Sequence, residues 1–159
     1  MANFIKGASL RELLFGAQVI KLAQIPPNSG STATLFTVAG GAVLVTSLLG
    51  QVSTVLSGTT GAIALGTKPT AGTEETGGIS TAGVIGGAEV GAWVSASKAI
   101  TGLAGAVQAN VYAGNAIGIC PAFVVNAGLI EVTTSVVTMT GAIDWYISYV
   151  PLNSGASVS

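Results

Sequence analysis

The chain has no histidine, one cysteine and only eleven formally charged side chains, five Lys/Arg and six Asp/Glu, among 159 residues. Each shortage excludes a kind of chemistry. Without histidine no unperturbed side chain titrates near neutral pH, so the usual general base is missing. Cys120 lies in the apolar context GICPAFVV and has no histidine to generate its thiolate. It cannot form an internal disulfide, and it reads as a small buried hydrophobe. Of the carboxylates, Glu74 and Glu75 are adjacent in KPTAGTEETGG, residues 68–78. On an extended backbone neighbouring side chains point to opposite sides, so this pair is badly placed to share a proton or clamp a metal. The segment reads as a solvated loop. GVIGGAEVG lacks the GxxxxGK[ST] order and contains no Lys or Arg, which argues against a phosphate-binding loop. No motif sets a nucleophile beside a base, so neither an enzymatic function nor a cofactor is expected.

Charge is scarce as well as balanced. The net charge of −1 gives no electrostatic case for nucleic acid or an anionic membrane surface. Charged residues make up 7% of the chain, against about 25% in ordinary soluble proteins. Half of the residues are hydrophobic. Such a surface needs either a membrane or cover from other protein. A spanning helix needs roughly 20 mostly apolar residues. Residues 35–49, LFTVAGGAVLVTSLL, contain two threonines, a serine and a Gly-Gly pair, and residues 100–130 are interrupted by Gln108, Asn110, Asn115, Pro121 and Asn126. No membrane segment is therefore expected. Glu12 just ahead of LLFGAQVI, with no small-residue cleavage site after it, argues against a secretory signal. Cover by further copies of the chain, or by a larger assembly, is the remaining expectation.

The first 24 residues have a helix-like pattern. Ser9 is placed to cap, Glu12 follows three later as in a capping box, and Leu10, Leu13, Leu14 and Ile20 can share a face. Lys6, Arg11 and Lys21 lie here too. The segment is either a short helix packed on its own domain or an arm that docks on a neighbouring subunit. With the Pro26-Pro27-Asn28-Ser29-Gly30 turn it makes up residues 1–30, and residues 31–159 form a β domain.

Within that domain strands are expected over 32–38, 42–56, 62–65, 79–97, 115–126, 129–139 and 143–150, separated by Gly, Asn and Pro turns. In the second run Val43, Val45, Ser47 and Leu49 point one way and Leu44, Thr46 and Leu48 the other, while Gly50 suggests a bulge or bend. Trp93 lies opposite Val90, Ala92 and Val94. Residues 97–111 fit a loop or short helix, since Ile100, Leu103, Ala104 and Val107 recur at helical spacing. The last strand alternates most regularly, with Ile143, Trp145, Ile147 and Tyr149 on one face and Asp144, Tyr146 and Ser148 on the other. Pro151 is expected to end its pairing. About seven to nine short strands without an internal repeat give an all-β sandwich or barrel.

LFTVAGGAVLVTSLLGQVSTVLSGTTGAIALGTKPTAGT, residues 35–73, and GLIEVTTSVVTMTGAIDWYISYVPLNSGASVS, residues 128–159, resemble a family of small structural proteins of tailed phages. The LFTVAGGAVLVTSLLGQV strand pair, the KPTAGT loop and the terminal WYISYVPLNSGASV carry the likeness. The resemblance implies a non-enzymatic virion component, a capsid decoration or cement protein with a β-sandwich or jelly-roll-like domain. It also implies assembly in the host cytoplasm, a place on the capsid exterior bound to the major capsid protein lattice, and a homo-oligomer, with a trimer the expected form. Lys6, Arg11, Leu13, Leu14, Trp145 and Tyr149 are then the candidate assembly contacts. For Trp145 and Tyr149 the alternative is that they fill their own sandwich. Two other readings fit the same composition. One is a tail component, whether tube, fibre or minor tail protein. The other is a receptor- or carbohydrate-binding module, for which Trp93 with Asn110 and Asn115 is the first place to look.

Overall fold

The structure is a computed structural model, and it describes residues 16–58, 60–72, 75–96, 105–109, 122–135 and 138–159. Their secondary structure is entirely β. The strands are β1 (Ala17–Gln24), β2 (Thr32–Ala39), β3 (Val43–Thr54), β4 (Ala62–Pro69), β5 (Glu75–Val84), β6 (Trp93–Ala96), β7 (Gly105–Ala109), β8 (Phe123–Val125), β9 (Gly128–Thr134), β10 (Ala142–Pro151) and β11 (Ser157–Val158).

Pairing follows a simple rule. β1 pairs with β10, β2 with β9, β3 with β8 and β4 with β5, all antiparallel, so the chain is laid out as one long hairpin, outermost strands together and innermost together. Rolling that hairpin brings β10 against β3 and β9 against β4. Two antiparallel sheets result, β1-β10-β3-β8 and β2-β9-β4-β5. This is the strand order of a jelly roll, a β-sandwich of eight strands. The remaining strands are additions to that frame. β6 continues along the same edge of β3 as β8, opposite Leu49, Gly50 and Gln51. β7 pairs antiparallel with β6 and parallel with β5, which ties the two sheets along one side.

On the other side β1 and β2 leave a seam. Lys21 Nζ crosses it and donates to the Thr34 carbonyl at 3.3 Å. The C-terminal tail closes the seam further on, because β11 pairs with Val38 and Ala39 of β2 and places Ala156 and Val158 in the core. Its turn interlocks with the one before β3. The Ala42 amide donates to Asn153 Oδ1 at 2.7 Å, and Gly40, at φ 72°, lies against the Gly155 carbonyl, where a Cβ has no room.

One hydrophobic core lies between the sheets. Val43, Val45, Leu48, Val52, Ile143, Trp145, Ile147 and Tyr149 from the first sheet meet Phe36, Val38, Ile63, Leu65, Ile130 and Val132 from the second. The alternation expected of β10 is the one observed, with Ile143, Trp145, Ile147 and Tyr149 inward.

Several expectations need correction. Residues 17–24 are not helical: they form β1, with Ala17 and Val19 packed on the core. The helical spacing around Val107 fails in the same way, since residues 105–109 are β7. The loop expected over 68–78 is shorter at both ends, because Lys68 and Pro69 pair with Leu129 and Gly128 while β5 starts at Glu75. Among the described residues there are eleven strands rather than the expected seven to nine. In β3 the irregularity is not at Gly50. The register against β10 slips between Ser148/Tyr149, where Ser47 and Val45 are the partners, so Thr46 is the extra residue. That slip reverses the phase of everything after it. Leu48, Gly50 and Val52 face the core and Leu49 faces out, although simple alternation assigned Leu49 to the same side as Val43. Gly50 sits opposite Trp145, and its bare backbone is the floor on which the indole rests.

A buried hydroxyl provides a test of this core. Thr134 is 1% exposed, and its Oγ1 is buried with no hydrogen-bond partner. An unpaired buried polar group costs about 1–3 kcal/mol. Thr134→Val is therefore expected to leave the denaturation midpoint unchanged or to raise stability by about 1 kcal/mol. Chemical denaturation would check this, and a loss of stability would contradict it.

Candidate functional site

A strand pairing that buries one face of β10 and β3 turns the other face outward, and that outer face mixes aromatic and aliphatic side chains with polar ones, among them a row of Gln18, Ser148 and Ser47. Its side chains lie in rows set by register. Ile20 of β1 is opposite Tyr146, Tyr146 is opposite Leu49, and Leu49 is opposite Ser95, where the row ends in a buried residue. In the next row Asp144, Gln51 and Trp93 are opposite one another in turn. A third row joins Val150, Leu44 and Val124. Trp93 and Tyr146 stand on the two strands that flank β3, one row apart, and their rings meet across it at a centroid distance of 6.2 Å and an interplanar angle of 47°. Both are half-buried, while Ile20 and Val124 are 50% and 58% exposed. The surface therefore combines tilted aromatic rings with aliphatic side chains, interspersed with Gln51, Ser148 and Asp144.

Asp144 is the one acidic side chain in these rows. Its Oδ1 accepts a hydrogen bond from the Ala23 amide at 2.6 Å. Ala23 stands at φ 50°, inside the irregular stretch of β1 between Lys21 and Gln24. The carboxylate thus stabilises an unusual backbone conformation, which is a structural duty. Among the described residues, no group of three or more His, Cys, Asp or Glu could hold a metal ion. A cavity of about 10 Å³ lies at the end of the sandwich, lined by Gln24, Ile25, Pro26, Ile63, Val132, Ile143 and Trp145. That is room for roughly one water molecule, too little for a substrate.

The residues singled out in the sequence fall in three places. Lys6, Arg11, Leu13 and Leu14 lie outside the described residues, as do Asn110, Asn115 and Cys120. Trp145 and Tyr149 are in the core at 1% and 7% exposure, so their side chains offer almost no surface to a second chain. Trp93 is on the outer face, and its aromatic neighbour is Tyr146, a contact that alternation along β10 alone does not reveal. Sequence reasoning also missed Leu49, because the slip at Thr46 carries no residue signature.

No protein-family model matches the chain, and neither a curated protein nor a solved structure matches it. Among the described residues, no helix is long and apolar enough to cross a membrane.

Proposed function

We propose that the chain is a non-enzymatic structural component of a tailed-phage virion, a decoration or cement protein that binds the major capsid lattice from outside as a homo-oligomer. The observation that carries this reading is the cluster of Ile20, Tyr146, Leu49 and Trp93 on the outer face of a chain with 7% charged residues. A surface of that kind favours cover by protein. The likeness of residues 35–73 and 128–159 to tailed-phage structural proteins supplies the setting. A jelly roll suits a stiff module present in many copies, although the fold occurs in capsids and lectins alike and does not by itself choose a function.

Quantitative mass spectrometry of purified virions tests the proposal. A copy number comparable to that of the major capsid protein is expected. A few copies per particle would favour the tail component, and absence from the particle would overturn the virion reading. A carbohydrate- or receptor-binding module draws on one specific observation, the Trp93 and Tyr146 rings beside Gln51 and Asp144. Glycan binding that disappears in Trp93→Ala would favour that module over the decoration protein.

A further inference from the structure

We infer that β1 is a homotypic docking edge, through which two copies of the chain pair antiparallel about a two-fold axis. The argument starts from how each sheet edge is managed, because an open edge presents unpaired amides and carbonyls to any extended strand. In the second sheet, β11 covers Val38 and Ala39 of β2, residues Thr37 and Ser159 exchange backbone hydrogen bonds, and Lys21 Nζ takes the Thr34 carbonyl. On the far side, β7 joins β5 to β6. β1 stands at the end of the strand order, paired on one side with β10 and, among the described residues, with nothing on the other.

Natural edge strands are commonly guarded by charge, proline or a bulge. β1 has the bulge between Lys21 and Gln24, which leaves residues 17–21 as a regular stretch. It has no proline, and its single charge, Lys21, is spent across the seam on Thr34 rather than displayed at the edge. The outward side chains of β1 are Gln18, Ile20 and Leu22, the last two 50% and 63% exposed.

These features select the occupant. A second β1 meets the first without like charges facing each other, and an antiparallel pair satisfies the same edge on both copies, as an isologous two-fold contact requires. The pair also makes the outer face continuous across the axis. Ile20 and Leu22 of the two copies come together on one side of the joined sheets, in line with Tyr146 and Leu49. A charged or proline-rich partner would gain nothing from this surface, whereas a copy of the chain matches it in both hydrogen bonding and side chains.

The inference stands apart from the virion reading and makes a different prediction. Sedimentation equilibrium of the full chain over a range of concentrations is expected to show a monomer–dimer equilibrium. Ile20→Lys, a change at an exposed position, is expected to weaken dimerisation at least tenfold while leaving the thermal midpoint of the dilute protein unchanged. Hydrogen–deuterium exchange gives a second readout on the unmodified chain, with amide protection in residues 17–21 rising with concentration. A chain that stays monomeric, a trimer without a dimer, or a dimer unaffected by Ile20→Lys would each overturn the inference. None of these results would bear on whether the protein is found in virions.

Discussion

Trp145→Ala is expected to destabilise the protein by about 3–5 kcal/mol, the range for truncating a large buried aromatic. The indole is 1% exposed and belongs to the single core between the sheets. Its cross-strand partner is Gly50, where an added Cβ would lie 3.2 Å from the indole Cε3 and Cζ3. The ring therefore rests on bare backbone, with no flexible side chain there to move into the space it leaves. Ile143 and Val132, which share the small end cavity with Trp145, would line an enlarged void. Against a total stability of about 5–15 kcal/mol this is a large fraction. At about 2–4 °C per kcal/mol for a domain of this size, the thermal midpoint should fall by roughly 6–20 °C. Calorimetry would check it, and a loss below about 1 kcal/mol would contradict the placement of Trp145 at the centre of the sandwich.

Gly86→Ala is expected to be comparably damaging, by a different route. Residues 85–87 lie directly on the turn between β3 and β4, backbone against backbone. The amides of Ile85 and Gly86 both donate to the Gly61 carbonyl at 2.9 Å, Gly61 donates to Gly58 at 2.9 Å, and Gly87 donates to Leu56 at 2.9 Å. A Cβ at Gly86 would fall on the Gly58 carbonyl. Backbone held by several hydrogen bonds cannot give way as a side chain can, so the cost should reach about 3 kcal/mol or more, the upper end of overpacking effects. Gly87 provides the control. A Cβ there meets nothing within 4 Å, but its φ of 83° is in the left-handed region. Gly87→Ala should therefore cost only the conformational penalty, about 1–2 kcal/mol. Denaturant unfolding of the two variants separates steric from conformational cost. Equal losses, or a greater loss at Gly87, would contradict the close approach of the two turns.

The sequence made the inward face of β10 legible because its alternation is unbroken from Ile143 to Tyr149 and no charge intrudes. β1 shows what defeats that reading. Ala17, Val19 and Lys21 take the inner side, so a lysine occupies a position where period-two alternation calls for an apolar residue. The seam explains it: the lysine stem covers apolar surface while its ammonium reaches the Thr34 carbonyl. With that signal blurred, the leucines upstream extended a helical pattern into a strand. β3 failed at one residue, because the extra Thr46 in its pairing with β10 changes which side chains face out without changing composition. The outer face was harder still. Trp93 and Tyr146 come from strands distant in sequence, and only the register of β10, β3 and β6 brings their rings together.

The proposal that this chain is a virion structural protein covering the capsid is tested most directly by cryo-electron microscopy of purified particles of a phage whose genome encodes it. The account predicts β-sandwich density of this size, 15.5 kDa per copy, repeated across the capsid exterior at symmetry-related positions of the lattice. Density confined to the tail, or particles without the protein, would contradict it.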